Sequence, residues 1–140
     1  MIRVFIPGHP KPQGSKTIAK TRDGHTYLRE ANSKTMTWRD VVIKHLKPLA
    51  ADTLTGPVRV SLHFFMLKPP TAKYDTPISA RTYDIDKLSR TCLDAITKAG
   101  IWTDDRLCIS LHAKKSYVAE DPGVTITIED YKQHIDKFWD

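Results

Sequence analysis

The chain has 140 residues, 40% of them hydrophobic, and a formal net charge of +6. That is enough for one domain, residues 1–140, with a modest core, and the charge favours a polyanionic partner. No stretch has the length of a membrane helix and the N-terminus lacks the apolar run of a signal peptide, which argues against a membrane or exported protein and for a cytoplasmic one.

Ile2 to Ile6 alternates and predicts a first strand. The run Pro7-Gly8-His9-Pro10-Lys11-Pro12-Gln13-Gly14-Ser15-Lys16 breaks regular structure repeatedly. With Lys20, Arg22 and Arg29 it forms a basic loop expected to touch a phosphate backbone; the plain alternative is a solvated surface loop. Thr26 to Leu28 is a short strand that can close a hairpin. Asn32 or Ser33 can cap a helix running to about Leu49, with Trp38, Val41, Val42, His45, Leu46 and Leu49 as its apolar stripe. On that stripe His45 reads as a packed histidine rather than a ligand, and Trp38 as core rather than a base-stacking platform.

Val58 to Leu67 is a strand in which Val58, Val60, Leu62 and Phe64 alternate with Arg59, Ser61, His63 and Phe65. The proline-rich run Lys68 to Pro77 is irregular and delivers the chain to Arg81-Thr82-Tyr83-Asp84. It either sets Lys68, Lys73 and Arg81 beside the acids that follow or is a connection of no special role. Tyr74 and Tyr83 are candidates for stacking on an unpaired base, with ordinary packing as the simpler reading.

Asp84 to Asp105 is the stretch that carries chemistry. Leu88, Cys92, Ala95, Ile96 and Ala99 recur at three- and four-residue steps and predict one helix. Asp84 is its expected N-cap, Gly100 its C′ residue, and Lys98 complements its last turn. Asp86, Arg90 and Asp94 follow at four-residue steps on the opposite face. Two acidic pairs, Asp84/Asp86 and Asp104/Asp105, thus bracket the helix. Asp84 and Asp86 can converge if the first lies in the extended entry and the second in the first turn. Such oxygen-rich clusters suit Mg²⁺ or Mn²⁺, ions that catalyse phosphodiester hydrolysis. The plain alternative is that Asp84 caps, Asp86 complements the helix dipole and Asp104-Asp105 is a polar turn.

Arg106 to Tyr117 is a strand with Leu107, Ile109 and Leu111 on one face and the candidate phosphate contacts Lys114 and Lys115 towards its end. Glu120-Asp121-Pro122-Gly123 is a turn, and Val124, Ile126 and Ile128 alternate with threonines in a strand expected to complete a hairpin. Tyr131 to Trp139 is a short helical tail whose Ile135, Phe138 and Trp139 suit the core or a second subunit. Cys92 and Cys108 lack metal-ligand spacing and read as buried free thiols in a reducing compartment. The order strand, helix, strand, helix, strand, strand gives a single α/β (α+β) domain with a mixed sheet and two main helices.

Asp84-Ile85-Asp86-Lys87-Leu88, followed without a gap by Leu93-Asp94-Ala95-Ile96-Thr97-Lys98-Ala99-Gly100-Ile101-Trp102-Thr103-Asp104-Asp105, resembles the core motif of RusA-type Holliday junction resolvases. Upstream, Trp38-Arg39-Asp40-Val41 resembles a family segment in the first helix. The resemblance implies the RusA-like fold, a homodimer and Mg²⁺-dependent endonuclease activity. The substrate it implies is branched DNA, four-way junctions resolved by paired symmetric nicks, in recombination and repair. It also places the chain among proteins common in phages and prophages. Position by position, the family's catalytic, metal-holding carboxylates fall on Asp84, Asp86 and Asp105, with Asp104 as an additional or alternative ligand. A family lysine falls on Arg90, which keeps the charge and can grip phosphate bidentately but does not readily lose a proton. Lys87 replaces the commoner asparagine. Lys11, Lys16, Lys20, Arg22, Lys68, Lys73, Arg81, Lys87, Lys114 and Lys115 are the expected DNA contacts. The alternatives are a catalytically weak or inactive branched-DNA-binding protein, and a structural basic domain whose acids only cap and turn.

Overall fold

The structure, a computed structural model, describes residues 1–12, 16–20, 26–30 and 36–131, with the backbone alone for 16–20 and 26–30. Its elements are β1 (Ile2–Pro7), β2 (Lys16–Lys20), β3 (Thr26–Glu30), α1 (Trp38–Leu46), β4 (Val58–Leu67), α2 (Ile85–Lys98), β5 (Cys108–Val118) and β6 (Gly123–Asp130). Four strands form one mixed sheet in the order β1-β6-β4-β5, while β2 and β3 pair in a separate ribbon. Only β4 and β5 run parallel; β6 is antiparallel to both β1 and β4. This is the expected α+β fold.

The alternation in β4 builds the core. Val58, Val60, Leu62, Phe64 and Met66 are buried, and Val124, Ile126, Ile128 and Ile6 extend the same face across the sheet. Trp38, Val42 and Leu46 of α1 and Leu88, Cys92, Ala95 and Ile96 of α2 belong to the same buried cluster. Each buried Val, Leu, Ile, Phe or Met among them contributes about 1.5–3 kcal/mol by leaving water. Gly8 is required beneath Trp38, because a Cβ there would stand 2.6 Å from the indole ring.

Helix α1 begins later than Asn32 or Ser33 would have it. Thr37 is its cap: the Thr37 hydroxyl accepts from the Asp40 N–H at 3.1 Å and the Asp40 carboxylate accepts from the Thr37 N–H at 3.2 Å. This reciprocal pair satisfies two otherwise orphaned donors. The hydrogen bonds hold the Asp40 carboxyl below its usual range. At the other end Pro48 has no N–H to continue the ladder, and residues 47–49 close as a single 3₁₀ turn. Residues 31–35, with both expected caps, lie outside the described residues.

Two expectations for the C-terminal half are corrected. β5 and β6 do not form a hairpin: the α2 crossover places β5 on one edge of β4, and β6 occupies the other edge. The connection crosses the end of β4 with Asp121 at φ 59, and Pro122 O accepts from the Gly8 N–H at 3.0 Å. Nor do Leu107, Ile109 and Leu111 line one face of the strand: Leu107 is buried in the turn before β5, whereas Ile109 and Leu111 are 57% and 44% exposed. The pairing slips between Val58 and Arg59, skipping Ile109, and β5 is an edge strand. Of the thiols, Cys92 is buried, which pushes it up to about 12, and Cys108 is partly buried.

Candidate active site

Packing of its apolar stripe orients α2 and fixes what the other face offers. Asp86 and Arg90 are exposed there and Asp94 is half-buried. Asp84 holds the N-cap position with extended backbone, φ −77 and ψ 137, yet its side chain makes no cap hydrogen bond. An N-cap aspartate ordinarily accepts from an N–H of the first turn. Here the carboxylate instead stands 3.5 Å from Lys87 Nζ, so helix capping does not consume it.

The residue before Asp84 is held in an unusual shape. Tyr83 has φ 68 and ψ 165, a region that costs a non-glycine residue about 1–3 kcal/mol. Several bonds keep it there. The Tyr83 N–H donates to Ala80 O at 3.2 Å. The buried Thr82 hydroxyl lies 2.8 Å from Pro77 O and 2.7 Å from Ser79 O. Lys115 Nζ donates to Tyr83 O at 2.7 Å and to Thr82 Oγ1 at 3.2 Å. Lys115 thus reaches from β5 to the entry of α2 and clamps the peptide that delivers Asp84.

The second acidic pair is built at the far end of α2. Gly100, at φ 82, turns the chain out of the helix. Trp102 is buried and donates from Nε1 to Thr97 Oγ1 at 2.6 Å. The Leu54 N–H donates to Ile101 O at 2.8 Å. With the turn pinned, Asp104 caps the 3₁₀ turn Asp105–Leu107 by accepting from the Arg106 N–H at 2.8 Å. Asp94, Thr97, Lys98, Asp104 and Asp105 line a cleft of about 170 Å³. Desolvation, a hydrogen bond with Asp104, and the charges of Asp104 and Asp94 hold the Asp105 carboxyl above the usual range.

The chain therefore brings Asp105 together with Asp104 and Asp94. Asp84 and Asp86 stand at the start of α2; Asp94 lies eight residues beyond Asp86, about 12 Å of helix rise. Among the described residues no group of three His, Cys, Asp or Glu side chains comes close enough to hold a metal ion. Asp94 was read from sequence only as a partner on the helix surface. Its four-residue step from Arg90 was the available signal, but the fold of the following turn decides its company.

The expected DNA contacts are spread widely. Lys11 and Arg81 line a cleft of about 280 Å³ with Tyr83, next to Asp84. Lys68 is paired with Asp75 at 3.0 Å and so braces its own connection. Lys73 and Lys87 are exposed, and Lys114 is exposed on the sheet face away from the helices. Lys16 and Lys20 lie on β2, their side chains outside the description; Arg22 and the tail residues Ile135, Phe138 and Trp139 also lie outside the described residues.

A family model described as endodeoxyribonuclease RusA matches residues 7–129. The crossover junction endodeoxyribonuclease RusA of Escherichia coli O139:H28 (strain E24377A / ETEC) is 26% identical over 122 residues, covering 86% of this chain and 90% of that protein. The proteins of the same name from Escherichia coli K12 and Enterobacteria phage 82 are each 25% identical over the same shares.

Proposed function

The chain belongs to the RusA family of endodeoxyribonucleases, and from that premise we propose that it is a divalent-metal-dependent, structure-selective DNA endonuclease. Its substrate is a four-way junction, resolved by paired symmetric nicks in recombination and repair. The observation that carries this reading is the cleft at the end of α2. A basic chain, with formal net charge +6, gathers three carboxylates there and holds one of them, Asp105, above the usual range. Among the described residues these acids are not grouped closely enough to hold an ion within one chain, so a cation that relieves their repulsion draws further ligands from elsewhere.

The donor chemistry fits Mg²⁺, with Mn²⁺ as substitute: Asp84, Asp86 and Asp105, with Asp104 as an additional ligand, offer oxygen alone and are all exposed. When bound, the ion supplies a more acidic water and stabilises charge developing on the phosphate. The separation of Asp84 and Asp86 from Asp105 within one chain supports a homodimer in which two copies complete each other's acidic set. A junction's two-fold character asks for the same symmetry. Asp84 and Asp86 then hold their carboxylates at the end fixed by the Tyr83 clamp. Arg90, exposed one turn beyond Asp86, grips a phosphate next to the cut. Lys11 and Arg81, in the cleft beside Tyr83, hold the backbone leading to it. Among the described residues no helix is long and apolar enough to cross a membrane.

The test is incubation with a labelled synthetic four-way junction in Mg²⁺ or in EDTA. Paired nicks in Mg²⁺ alone are expected. Junction-selective binding without nicking in either condition would leave a branched-DNA-binding protein instead, and indifference between junction and duplex would remove the junction as substrate.

A further inference from the structure

The sheet has two faces, and the proposed chemistry uses only the helix side. The opposite face carries an open cleft of about 660 Å³ whose lining includes Arg3, His63, Phe65 and Lys114. This face of the sheet is built from alternate residues of its strands: exposed Arg3 and Phe5 from β1, half-buried His63 and Phe65 from β4, and exposed Lys114 from β5. Such a face on a protein of this size is ordinarily polar. This one has an aromatic centre.

The centre is organised. The His63 and Phe65 rings stack with centroids 4.1 Å apart at 28°. Phe5 meets Phe65 edge-on at 6.2 Å and remains 43% exposed. Gly123 makes room, since a Cβ there would run into the Phe5 ring and Ile6 O. His63 Nε2 lies 2.8 Å from the Ser116 hydroxyl, which fixes the imidazole plane. Around this centre stand cations on both outer strands. Lys114 pairs with His63 in the β4–β5 register, and Arg3 lies two residues before Phe5 on the far edge. From β1 to β5 is three strand spacings, about 14 Å. Arg59, half-buried, reaches His112 at 3.3 Å on the same face.

We propose that this face is a second nucleic-acid surface, which takes single-stranded DNA by stacking unpaired bases on Phe5, Phe65 and His63 with phosphates against Arg3 and Lys114. Each base presents a π-face to such a platform whatever its identity, and cations on the rim track the backbone. Charge decides the occupant. A second copy docked here across a two-fold axis would set Arg3, Lys114 and Arg59 near their own counterparts, whereas a polyanion neutralises them. The surface lies across the sheet from α2, so it stays open while a junction occupies the helix side. It therefore suits strands unpaired near a branch point.

The test measures binding of a short labelled oligothymidylate in EDTA by wild type, Phe5→Leu/Phe65→Leu, Lys114→Glu and Asp105→Asn. Loss of two stacking platforms lowers affinity at least tenfold, and Lys114→Glu lowers it while flattening its salt dependence. Lys114→Glu is exposed and keeps the fold, so it decides the matter if the double variant melts early. Asp105→Asn binds like wild type, which separates this surface from the nuclease centre. Equal affinity in wild type and both face variants would overturn the proposal. So would a shift from dimer to monomer in Phe5→Leu/Phe65→Leu, which makes the face a contact between copies. Binding seen only after removal of residues 132–140 would assign the face to the chain's own tail and overturn it as well.

Discussion

Lys115→Met removes an ammonium group and keeps most of its stem. Two hydrogen bonds disappear, to Tyr83 O and Thr82 Oγ1. Bonds from a charged donor are worth about 1.5–3 kcal/mol, and Lys115 is only half-buried, so about 1–2 kcal/mol is the clamp's scale. The strain it opposes at Tyr83 is also about 1–3 kcal/mol. The two nearly balance, and without the clamp residue 83 relaxes towards ordinary backbone. Relief of strain offsets part of the lost bonding, so melting falls by only a few degrees, at roughly 4 °C per kcal/mol. Asp84 follows the relaxed peptide, and a misplacement of an ångström costs about 100-fold in rate. The assay is single-turnover junction cleavage in Mg²⁺ beside gel-shift in EDTA. Cleavage should drop by ten- to a hundredfold with binding nearly unchanged, and Lys115→Arg should recover part of it. Wild-type cleavage by Lys115→Met would refute the clamp. A loss confined to binding, with the salt slope reduced by about one, would make Lys115 a phosphate contact instead.

Other outcomes follow from the same structure. Thr37→Ala removes half of the reciprocal cap of α1 and should cost about 1 kcal/mol, read as a lower melting temperature. Asp105→Asn should stabilise the metal-free protein slightly at neutral pH, by no more than about 0.5 kcal/mol for an exposed group. Its carboxyl is raised in the folded state, so ionisation costs stability above the folded value, and the advantage of asparagine should vanish as pH falls through that value. Melting curves across pH check the sign; a destabilised variant at pH 7 would contradict it. Arg90→Ala should lose most cleavage while Arg90→Lys keeps much of it. Full activity in Arg90→Ala would reduce Arg90 to a helix-surface partner worth about 0.2–0.5 kcal/mol.

Burial at a fixed period made the helices and strands readable. The α2 stripe and the alternation of β4 name their buried residues directly. Pairing was less legible, because Val124, Ile126 and Ile128 are buried whether β6 lies beside β5 or on the far side of β4. The cap of α1 was misplaced because Asn32, Ser33 and Thr37 are all competent N-caps and sequence does not rank them. At the candidate site, the acids could be listed but not grouped. Asp94 joins Asp105 only through the turn that Trp102 and Leu54 pin. Lys115 meets Tyr83 across 32 residues by way of the parallel β4–β5 register. No local pattern encodes such a meeting. The platform of Phe5, His63 and Phe65 was hidden for the same reason, its members lying on two strands far apart in sequence.

The central claim is that Asp84 and Asp86 act with Asp105 of a second copy. The most direct measurement is junction nicking by Asp86→Asn and Asp105→Asn chains, each alone and then co-expressed. Either variant alone should be inactive, since both sites of its dimer carry the lesion. A mixed dimer concentrates both lesions in one site and leaves the other intact. Random pairing should then restore about a quarter of the wild-type nicking, as single rather than paired cuts. A co-expressed pair as inactive as its parents would contradict sharing between copies, and a variant that cuts normally alone would remove its carboxylate from the chemistry.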